Sequence, residues 1–303
     1  MTIACGIDLG TNSFRLLVAA VNDGRIVPLH QELATVRLGQ GLAENGGVMG
    51  PEAMARGLDA LRSFRVVIDR LHPQRLRVCA THALRVAQNR NIFIEKAASI
   101  LNAVVEVVSP AEEAILSLAG AQQVLGHATP MLLADVGGGS SELAWRDQDN
   151  TITTSVEAGA VSLTERFLPL SGPARRESLT GLRQAIAGLF AGQSIPCLPL
   201  VGSGGTATAC AAWDLGLTLY DAKQVQGHRL TLSRVHGMIA TLASMDREGR
   251  NRLPGMAEGR GEIALAGILI YEHLLVRATQ ETLTVSDAGL LEGILLSSLE
   301  GAP

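Results

Sequence analysis

Short apolar runs and amphipathic stretches alternate through the first 125 residues. Apolar residues predict strands at residues 3–9, 13–21 and 26–38, and the turn Gly10-Thr11-Asn12 separates the first two. Between Pro51 and Leu71 the apolar residues recur at helical spacing. The pattern then predicts a strand at 76–80, a helix at 91–101, a strand at 104–108 and a helix at 110–124. This order predicts an α/β domain built on a mixed sheet.

The pattern begins again near residue 131. It predicts strands at 131–135, 141–145, 151–157 and 197–201, and helices at 175–191, 232–245, 262–277 and 290–299. The motif Asp-x-Gly-x-x-Ser occurs once in each half of the chain, after the first predicted strand. Its two copies are Asp8-Leu9-Gly10-Thr11-Asn12-Ser13 and Asp135-Val136-Gly137-Gly138-Gly139-Ser140. The repeat predicts two domains of one ancestral design that face each other. Residues 125–130 are the expected boundary, since Gly126 to Pro130 resemble a linker.

The composition agrees with two folded domains. A chain of 303 residues with 47% hydrophobic residues is long enough for two aliphatic cores. The net charge of −4 gives no bulk attraction to nucleic acid or to an anionic membrane. No apolar run reaches the roughly 18 residues that span a bilayer, and Asp8 lies where a signal sequence would be apolar. The four scattered cysteines predict neither disulfides nor a zinc site, so these features together favour a cytoplasmic location.

The two repeated turns are candidates for phosphate binding. Glycines let successive backbone N–H groups converge on an anion, and Ser and Thr hydroxyls add donors. The candidates are Gly10, Thr11, Asn12 and Ser13 in the first turn, and Gly137, Gly138, Gly139 and Ser140 in the second. Asp8 and Asp135 would repel phosphate, so they are candidates for holding a hard cation through water. Such turns also occur without a ligand, but the matched pair and a third turn at residues 202–206 favour phosphate binding.

Three charged residues outside the turns each have a chemical and a structural interpretation. Glu113 lies in the first turn of the helix predicted at residue 110, where it could act as a general base or complement the helix dipole. Arg85 follows a strand end, where its guanidinium could grip phosphate or lie on the surface. Arg260 could contact a long anionic substrate, or cap a helix and pair with Glu262.

These residues give the chain a resemblance to the exopolyphosphatase and guanosine pentaphosphate phosphohydrolase family (Ppx/GppA), within the actin, sugar kinase and Hsp70 superfamily. The matching segments are GIDLGTNSFRL at residues 6–16, ATHALRVAQN at 80–89, EEA at 112–114 and DVGGGSSEL at 135–143. Later support comes from GSGGT at 202–206 and LPGM at 253–256. The resemblance covers nearly the whole chain in the family's order.

The resemblance implies an α/β fold of two actin-like, ribonuclease H-like domains, whose mixed five-stranded sheets face a central cleft. Domain I is expected at residues 1–125, with the C-terminal helix at about 286–303 packing back on it, and domain II at 126–285. Beside the two turns, the phosphate-binding residues implied are Arg15, Gly204, Thr206 and Arg260. The catalytic residues implied are Glu113 as the base, Arg85 as a phosphate grip, and Asp135. Asp8, Asp135 and Glu142 would organise Mg²⁺ or another divalent cation.

The reaction implied is hydrolysis of the terminal phosphoanhydride of inorganic polyphosphate, by Mg²⁺-assisted attack of a water that Glu113 activates. Guanosine pentaphosphate is the alternative substrate. A non-catalytic sensor that binds guanosine tetraphosphate or polyphosphate is the alternative from another class, and a sugar-kinase-like phosphotransferase is disfavoured by the segments around Glu113 and Arg85. The long aliphatic helices at 175–191 and 262–275 could bury the face of a homodimer, although the pattern favours burial in the core of the domain.

The chain departs from the family pattern at two positions. Leu291 stands where family members often carry Arg, and Glu262 stands where an Asp commonly follows the second-domain arginine. These departures concern the anion contacts of the second domain more than the core chemistry. The sequence also lacks the extra helical, HD-type domains of the long family members, which favours a shorter polyphosphate or a nucleotide.

Overall fold

The computed structural model describes residues 1–22, 24–126, 130–169, 171–256 and 259–300, and the chain divides into two compact units. Unit 1 contains Met1–Val124 and Gly289–Pro303, and unit 2 contains Leu125–Ala288. Of the linker predicted at 126–130, residues 127–129 lie outside the described residues, as do residues 301–303 of the predicted C-terminal segment. The chain passes to unit 2 at Leu125 and returns to unit 1 at Gly289.

Unit 1 is built on a five-stranded mixed sheet. Its elements are β1 (Thr2–Leu9), β2 (Ser13–Asn22), β3 (Arg25–Thr35), α1 (Pro51–Leu71), β4 (Arg75–Ala80), α2 (His82–Val86), α3 (Arg90–Leu101), β5 (Val105–Val107), α4 (Pro110–Leu125) and the last helix of the chain, α12 (Leu290–Glu300). The strand order is β3-β2-β1-β4-β5, in which β1, β2 and β3 pair antiparallel while β4 and β5 run parallel to β1. The predicted α/β class with a mixed sheet is confirmed for this unit.

The third strand ends earlier than the apolar pattern predicts. β3 ends at Thr35, and the N–H groups of Val36 and Arg37 donate to the carbonyl of Asn12 at 3.1 and 2.8 Å. The apolar run nevertheless continues to residue 38, because Val36 and Leu38 are buried in the core. The prediction of a strand at 26–38 was therefore wrong for its last three residues, which turn toward the first hairpin instead.

Helix α12 packs on the sheet of unit 1 at close range. A Cβ on Gly6 of β1 would lie 3.1 Å from the carbonyl oxygen of Leu291, so the missing side chain permits the contact. Leu291 and Leu295 are buried in one cluster with Ala4 and Leu17. The leucine that replaces the family's arginine is therefore a core residue of this chain.

Unit 2 is built on a six-stranded mixed sheet. Its elements are β6 (Leu132–Val136), β7 (Ser141–Asp147), β8 (Asn150–Val156), α5 (Ala160–Phe167), α6 (Arg176–Phe190), β9 (Leu200–Ser203), α7 (Gly205–Asp214), α8 (Ala222–Val225), β10 (Arg229–Thr231), α9 (Leu232–Ser244), α10 (Arg247–Asn251), α11 (Arg260–Arg277) and β11 (Thr282–Val285). The strand order is β10-β11-β9-β6-β7-β8. Its five strands β8-β7-β6-β9-β11 reproduce the order and directions of unit 1, as the sequence repeat predicts. The sixth strand, β10, corrects the expected count of five: it has only three residues and lies antiparallel at the edge.

Helix α11 forms the centre of the core of unit 2. It packs against α5, α7 and α9, and most of its residues are buried, including Ile268, Tyr271 and Leu274. Burial all around the helix explains why its sequence is apolar with little periodicity. Among the helices that the structure describes, none is both long enough and apolar enough to cross a membrane.

We expect Gly293→Ala to destabilise the protein by about 3 kcal/mol or more, because overpacking against backbone leaves little room to relax. Gly293 of α12 lies directly against the backbone of Leu116 in α4, where a Cβ would overlap it. Urea denaturation followed by circular dichroism measures the free energy of unfolding.

Gly237→Ala is the matched control, since Gly237 is also a helical glycine. Apart from its chain neighbours and the nearby backbone of its own helix, no described atom lies within 4 Å of the position that its Cβ would take. Alanine there should stabilise the protein by about 0.5–1 kcal/mol through helix propensity. Equal effects of the two substitutions would contradict close packing between α4 and α12.

Candidate functional site

The two repeated turns share one backbone arrangement. In the first, a Cβ on Gly10 would lie 2.8 Å from the carbonyl oxygen of Ser13, and in the second a Cβ on Gly137 would lie 3.0 Å from that of Ser140. The N–H of Gly137 donates to the Ser140 carbonyl at 2.9 Å. Glycine is required at the start of both turns because a side chain would collide with the returning backbone.

Later segments of the chain hold the carbonyl groups of the first turn. The carbonyl of Thr11 accepts a hydrogen bond from the N–H of Gly39 at 3.0 Å, and that of Asn12 accepts the two bonds from residues 36 and 37 described above. Gly39 also lies beside Ala83, so helix α2 begins next to this turn. The first turn is thereby fixed by the segment that follows β3.

The second turn is held by the start of helix α5. The carbonyl of Gly137 accepts from the N–H of Ala160 at 2.9 Å, and that of Gly138 accepts from Val161 at 2.8 Å. Gly159 packs directly on this turn, where a Cβ would overlap Gly138. The first N–H groups of α5, which have no acceptor within the helix, are thus used to fix the turn.

This anchoring determines where the backbone donors of the turns point. In a planar trans peptide the carbonyl of one residue and the N–H of the next point in opposite directions. The N–H groups of Asn12, Ser13, Gly138 and Gly139 therefore point away from the segments that hold the preceding carbonyls. Each turn presents successive donors on one side, which is the arrangement that binds an anion.

The acidic residues before the two turns have different neighbours. Asp8 is 7% exposed and pairs in register with Arg15 on one side and Cys79 on the other. Asp135 pairs in register with Glu142. Directly opposite residues on neighbouring strands have Cβ atoms about 5 Å apart, so like charges there repel. Asp8 thus lies beside a positive charge, whereas Asp135 lies beside a second negative one.

Two serines extend the acidic pair of unit 2 into a row across the sheet. The hydroxyl of Ser155 on β8 donates to Oε1 of Glu142 at 2.9 Å. Ser203 on β9 is in register with Asp135, and its hydroxyl is buried with no hydrogen-bond partner within the described chain. Neither serine was predicted as a site residue; Ser203 lies in the third glycine-rich turn, and Ser155 carried no signal in the sequence.

The third turn lies against the second one. Gly204 has a φ of 85°, and a Cβ there would lie 2.7 Å from Oδ1 of Asp135. Gly205 lies directly under the guanidinium of Arg260, the first residue of α11. Thr206 is buried, and its hydroxyl packs on α11. Unit 2 therefore brings Asp135, Arg260 and two glycines of the third turn together.

Arg85 and Glu113 form an ion pair in unit 1. Nη1 of Arg85 lies 2.9 Å from Oε2 of Glu113 and also donates to the carbonyl of Val108 at 2.9 Å. Glu113 is 7% exposed, and Ser109 caps its helix by accepting the N–H of Glu112 at 3.1 Å. The structure thus joins two candidates that the sequence could only propose separately.

Glu262 forms an ion pair with Arg247 of α10. This partner differs from the pairing with Arg260 that was one of the two interpretations of the sequence. The guanidinium of Arg260 lies over Gly205 as described above. Both interpretations of Arg260, as a contact for an anionic substrate and as a helix cap paired with Glu262, stay predictions.

The residues of unit 2 fit a magnesium ion. Mg²⁺ is usually bound by one or two carboxylates, with substrate phosphates and waters completing an octahedron. Asp135 and Glu142, adjacent in register and with like charges, are a donor set of this kind. Across the described ranges no three His, Cys, Asp or Glu residues gather as a metal cluster.

Comparison with known proteins gives one consistent result. The profile of the Ppx/GppA phosphatase family matches residues 17–302. Exopolyphosphatase 2 of Mycobacterium tuberculosis is 35% identical to this chain, over 98% of each sequence.

Solved structures agree with the sequence comparison. An exopolyphosphatase from Cytophaga hutchinsonii is 27% identical, covers 99% of this chain and 98% of its own, and superposes with a TM-score of 0.87. The Ppx-GppA enzyme of Aquifex aeolicus is 28% identical, covers 98% of this chain and 99% of its own, and gives a TM-score of 0.83. The similarity therefore extends over essentially the full length of the relatives.

We expect one of the four thiols to react with a disulfide reagent in the native protein, and all four in denaturant. Burial raises the pKa of Cys5, Cys79 and Cys210 to about 12, so these thiols stay neutral near neutral pH, whereas Cys197 is exposed. Absorbance of the released thiolate counts the reacting groups. Rapid reaction of a second thiol would contradict the burial of Cys5, Cys79 and Cys210.

Proposed function

The chain belongs to the Ppx/GppA phosphatase family and is a phosphoanhydride hydrolase, and we propose that its substrate is inorganic polyphosphate, from which it releases the terminal phosphate. The relative named exopolyphosphatase 2, 35% identical over 98% of this chain, supports this substrate. We propose that Glu113 activates the attacking water and that Mg²⁺ assists. The observation that carries the mechanism is the ion pair between Arg85 and Glu113.

In the proposed mechanism, Glu113 takes a proton from the water as the water oxygen attacks the terminal phosphorus. The bridging P–O bond breaks, and the polyphosphate shortened by one phosphate leaves with the bridging oxygen. A positioned carboxylate is suited to orient the nucleophile in phosphoryl transfer. The Arg85 guanidinium fixes one carboxylate oxygen of Glu113 at 2.9 Å, which leaves the other oxygen to face the water. Because Arg85 is itself held by the Val108 carbonyl, the pair is a rigid unit. This interpretation makes Arg85 first of all the positioning partner of the base.

The backbone donors of the turns would bind the phosphate oxygens. N–H groups with fixed directions stabilise the charge of a phosphoryl group without reorganising during the reaction. The first turn supplies Asn12 and Ser13, and the second supplies Gly138 and Gly139. Arg260, which lies over the third turn, would add a guanidinium that can form two hydrogen bonds to phosphate.

Asp135 and Glu142 would hold the divalent cation. When bound, Mg²⁺ neutralises negative charge on the phosphate oxygens. The hydroxyl of Ser155 orients Glu142 through its hydrogen bond to Oε1. Asp8 is less suited to this role, since Arg15 lies opposite it in register. We therefore propose that Asp135 and Glu142 of unit 2 hold the cation.

We expect Glu113→Gln to lower kcat for phosphate release by roughly 100- to 10,000-fold, the range that general base catalysis supplies. Glutamine keeps the size of the side chain and an oxygen for Arg85, but it cannot accept the proton. KM should stay within a few-fold of its original value. Steady-state phosphate release from polyphosphate measures both constants.

Glu112→Gln is the matched control for this substitution. Glu112 is the preceding residue of the same helix, but its carboxylate pairs with Arg77 at 2.6 Å instead of Arg85. The control should keep kcat within about twofold, because Arg77 keeps its ion pair with Glu106 when Glu112 loses its charge. Full activity of the Glu113 variant would remove Glu113 from the role of base.

Phosphate release from polyphosphates of defined length and from guanosine pentaphosphate, measured side by side, tests the substrate. With Mg²⁺ we expect release from polyphosphate to be faster than release from guanosine pentaphosphate. An excess of chelator should abolish release, because without the cation the carboxylates of Asp135 and Glu142 would repel the phosphate. Faster release from guanosine pentaphosphate would favour that nucleotide. Tight binding of either molecule without any release would favour a non-catalytic sensor.

A further inference from the structure

A tyrosine hydroxyl joins the two glycine-rich turns of unit 2 from inside the core. Tyr271 of α11 is fully buried, and its Oη donates to the carbonyl of Ser203 at 2.6 Å. The same oxygen lies 3.3 Å from the carbonyl of Ala134. These two carbonyls belong to the residues immediately before Gly204 and Asp135.

The ring of Tyr271 reaches this position because Gly202 has no side chain. A Cβ on Gly202 would lie 2.9 Å from Cε1 of the ring and 3.1 Å from Cζ. The hydroxyl therefore lies at the carboxyl ends of β6 and β9, where the two parallel strands stop pairing at Asp135 and Ser203. Beyond this level the pairing between β6 and β9 no longer holds the two turns together.

The surroundings of the hydroxyl place it close to the candidate metal ligand. Burial and the negative charge of Asp135 raise the pKa of Tyr271 well above its usual value, while a backbone hydrogen bond from Val136 opposes the shift. The 2.6 Å distance shows that the hydroxyl donates to the Ser203 carbonyl. It interacts with the residues on both sides of Asp135.

We propose that Tyr271 is a positioning residue for the phosphohydrolase site: its hydroxyl fixes the spacing between Asp135 and Gly204, and so the geometry offered to the cation and the substrate. The proposal rests on the proposed function for its consequence, but the contact itself is independent of it. The same helix begins with Arg260, which lies over Gly205, so α11 contacts the third turn at two separate points.

Tyr271→Phe removes the hydroxyl and keeps the ring that fills the space over Gly202. Tyr220→Phe is the matched control, because Tyr220 is the only other tyrosine of the chain and its hydroxyl contacts Asp287 on the surface. Both variants lose one hydroxyl that accepts or donates a hydrogen bond. Only the first loses it at the turns.

Hydrogen–deuterium exchange without any ligand tests the contact. We expect peptides covering residues 131–140 and 200–206 to exchange about two- to tenfold faster in the Tyr271 variant, as the loss of one hydrogen bond predicts. The same peptides should be unchanged in the Tyr220 variant. Unchanged exchange of both peptides in the Tyr271 variant would overturn the proposal.

Mn²⁺ binding without substrate, followed by electron paramagnetic resonance, tests the consequence. Removing a residue that orients metal ligands typically weakens binding or activity by about 10- to 100-fold. We expect this loss in the Tyr271 variant at a temperature well below its unfolding transition. A tyrosine that only stabilises the fold would lower the melting temperature and leave Mn²⁺ affinity and kcat unchanged, and that result would also overturn the proposal.

The two hypotheses fail in different ways. If the parent protein releases no phosphate from any polyphosphate, the proposed substrate is wrong, and exchange and Mn²⁺ binding still decide the role of Tyr271. If the unsubstituted protein binds no Mn²⁺, hydrogen–deuterium exchange of the two peptides together with kcat decides whether Tyr271 positions the site. If the unsubstituted protein hydrolyses polyphosphate, and the Tyr271 variant keeps its hydrogen–deuterium exchange, Mn²⁺ affinity and kcat, only the positioning role of Tyr271 is rejected.

Discussion

The planarity of the peptide bond is the constraint on which both candidate turns depend. Because the carbonyls of Asn12 and Gly138 are held by N–H groups later in the chain, the donors that follow them have a fixed direction. The anchoring segments, residues 36–39 and the start of α5, contain none of the predicted site residues. Changes in these segments would nevertheless alter the turns, since backbone donors can be reoriented only by moving the peptide to which they belong.

The two units differ mainly in the charges that neighbour their first aspartates. They share strand order, turn geometry and the Asp-x-Gly-x-x-Ser sequence, yet Arg15 stands in unit 1 at the register position that Glu142 occupies in unit 2. Under the proposed function, the opposite charges in unit 1 and the like charges in unit 2 would give equivalent positions different tasks.

Much of the fold could be predicted from the sequence, because long strands and amphipathic helices produce clear patterns. Strands β10 and β11 are too short to produce one, and α7 is missed because its alanine- and threonine-rich sequence is buried on nearly every side. Within the candidate site, the sequence could identify the residues of the two Asp-x-Gly-x-x-Ser turns, because the motif is repeated. The pairing of Arg85 with Glu113, 28 residues apart, and the contact of Tyr271 with Ser203, 68 residues apart, could not, because both depend on tertiary packing.

Unit 1 needs the last helix of the chain to complete its core. The apolar face formed by Ala4 and Leu17 is covered by Leu291 and Leu295 of α12, whereas unit 2 is continuous from Leu125 to Ala288. During synthesis on the ribosome, the second unit therefore has all of its sequence before the first one does. Although N-terminal domains generally fold first, the first sheet of this chain keeps an uncovered face until α12 has been synthesised.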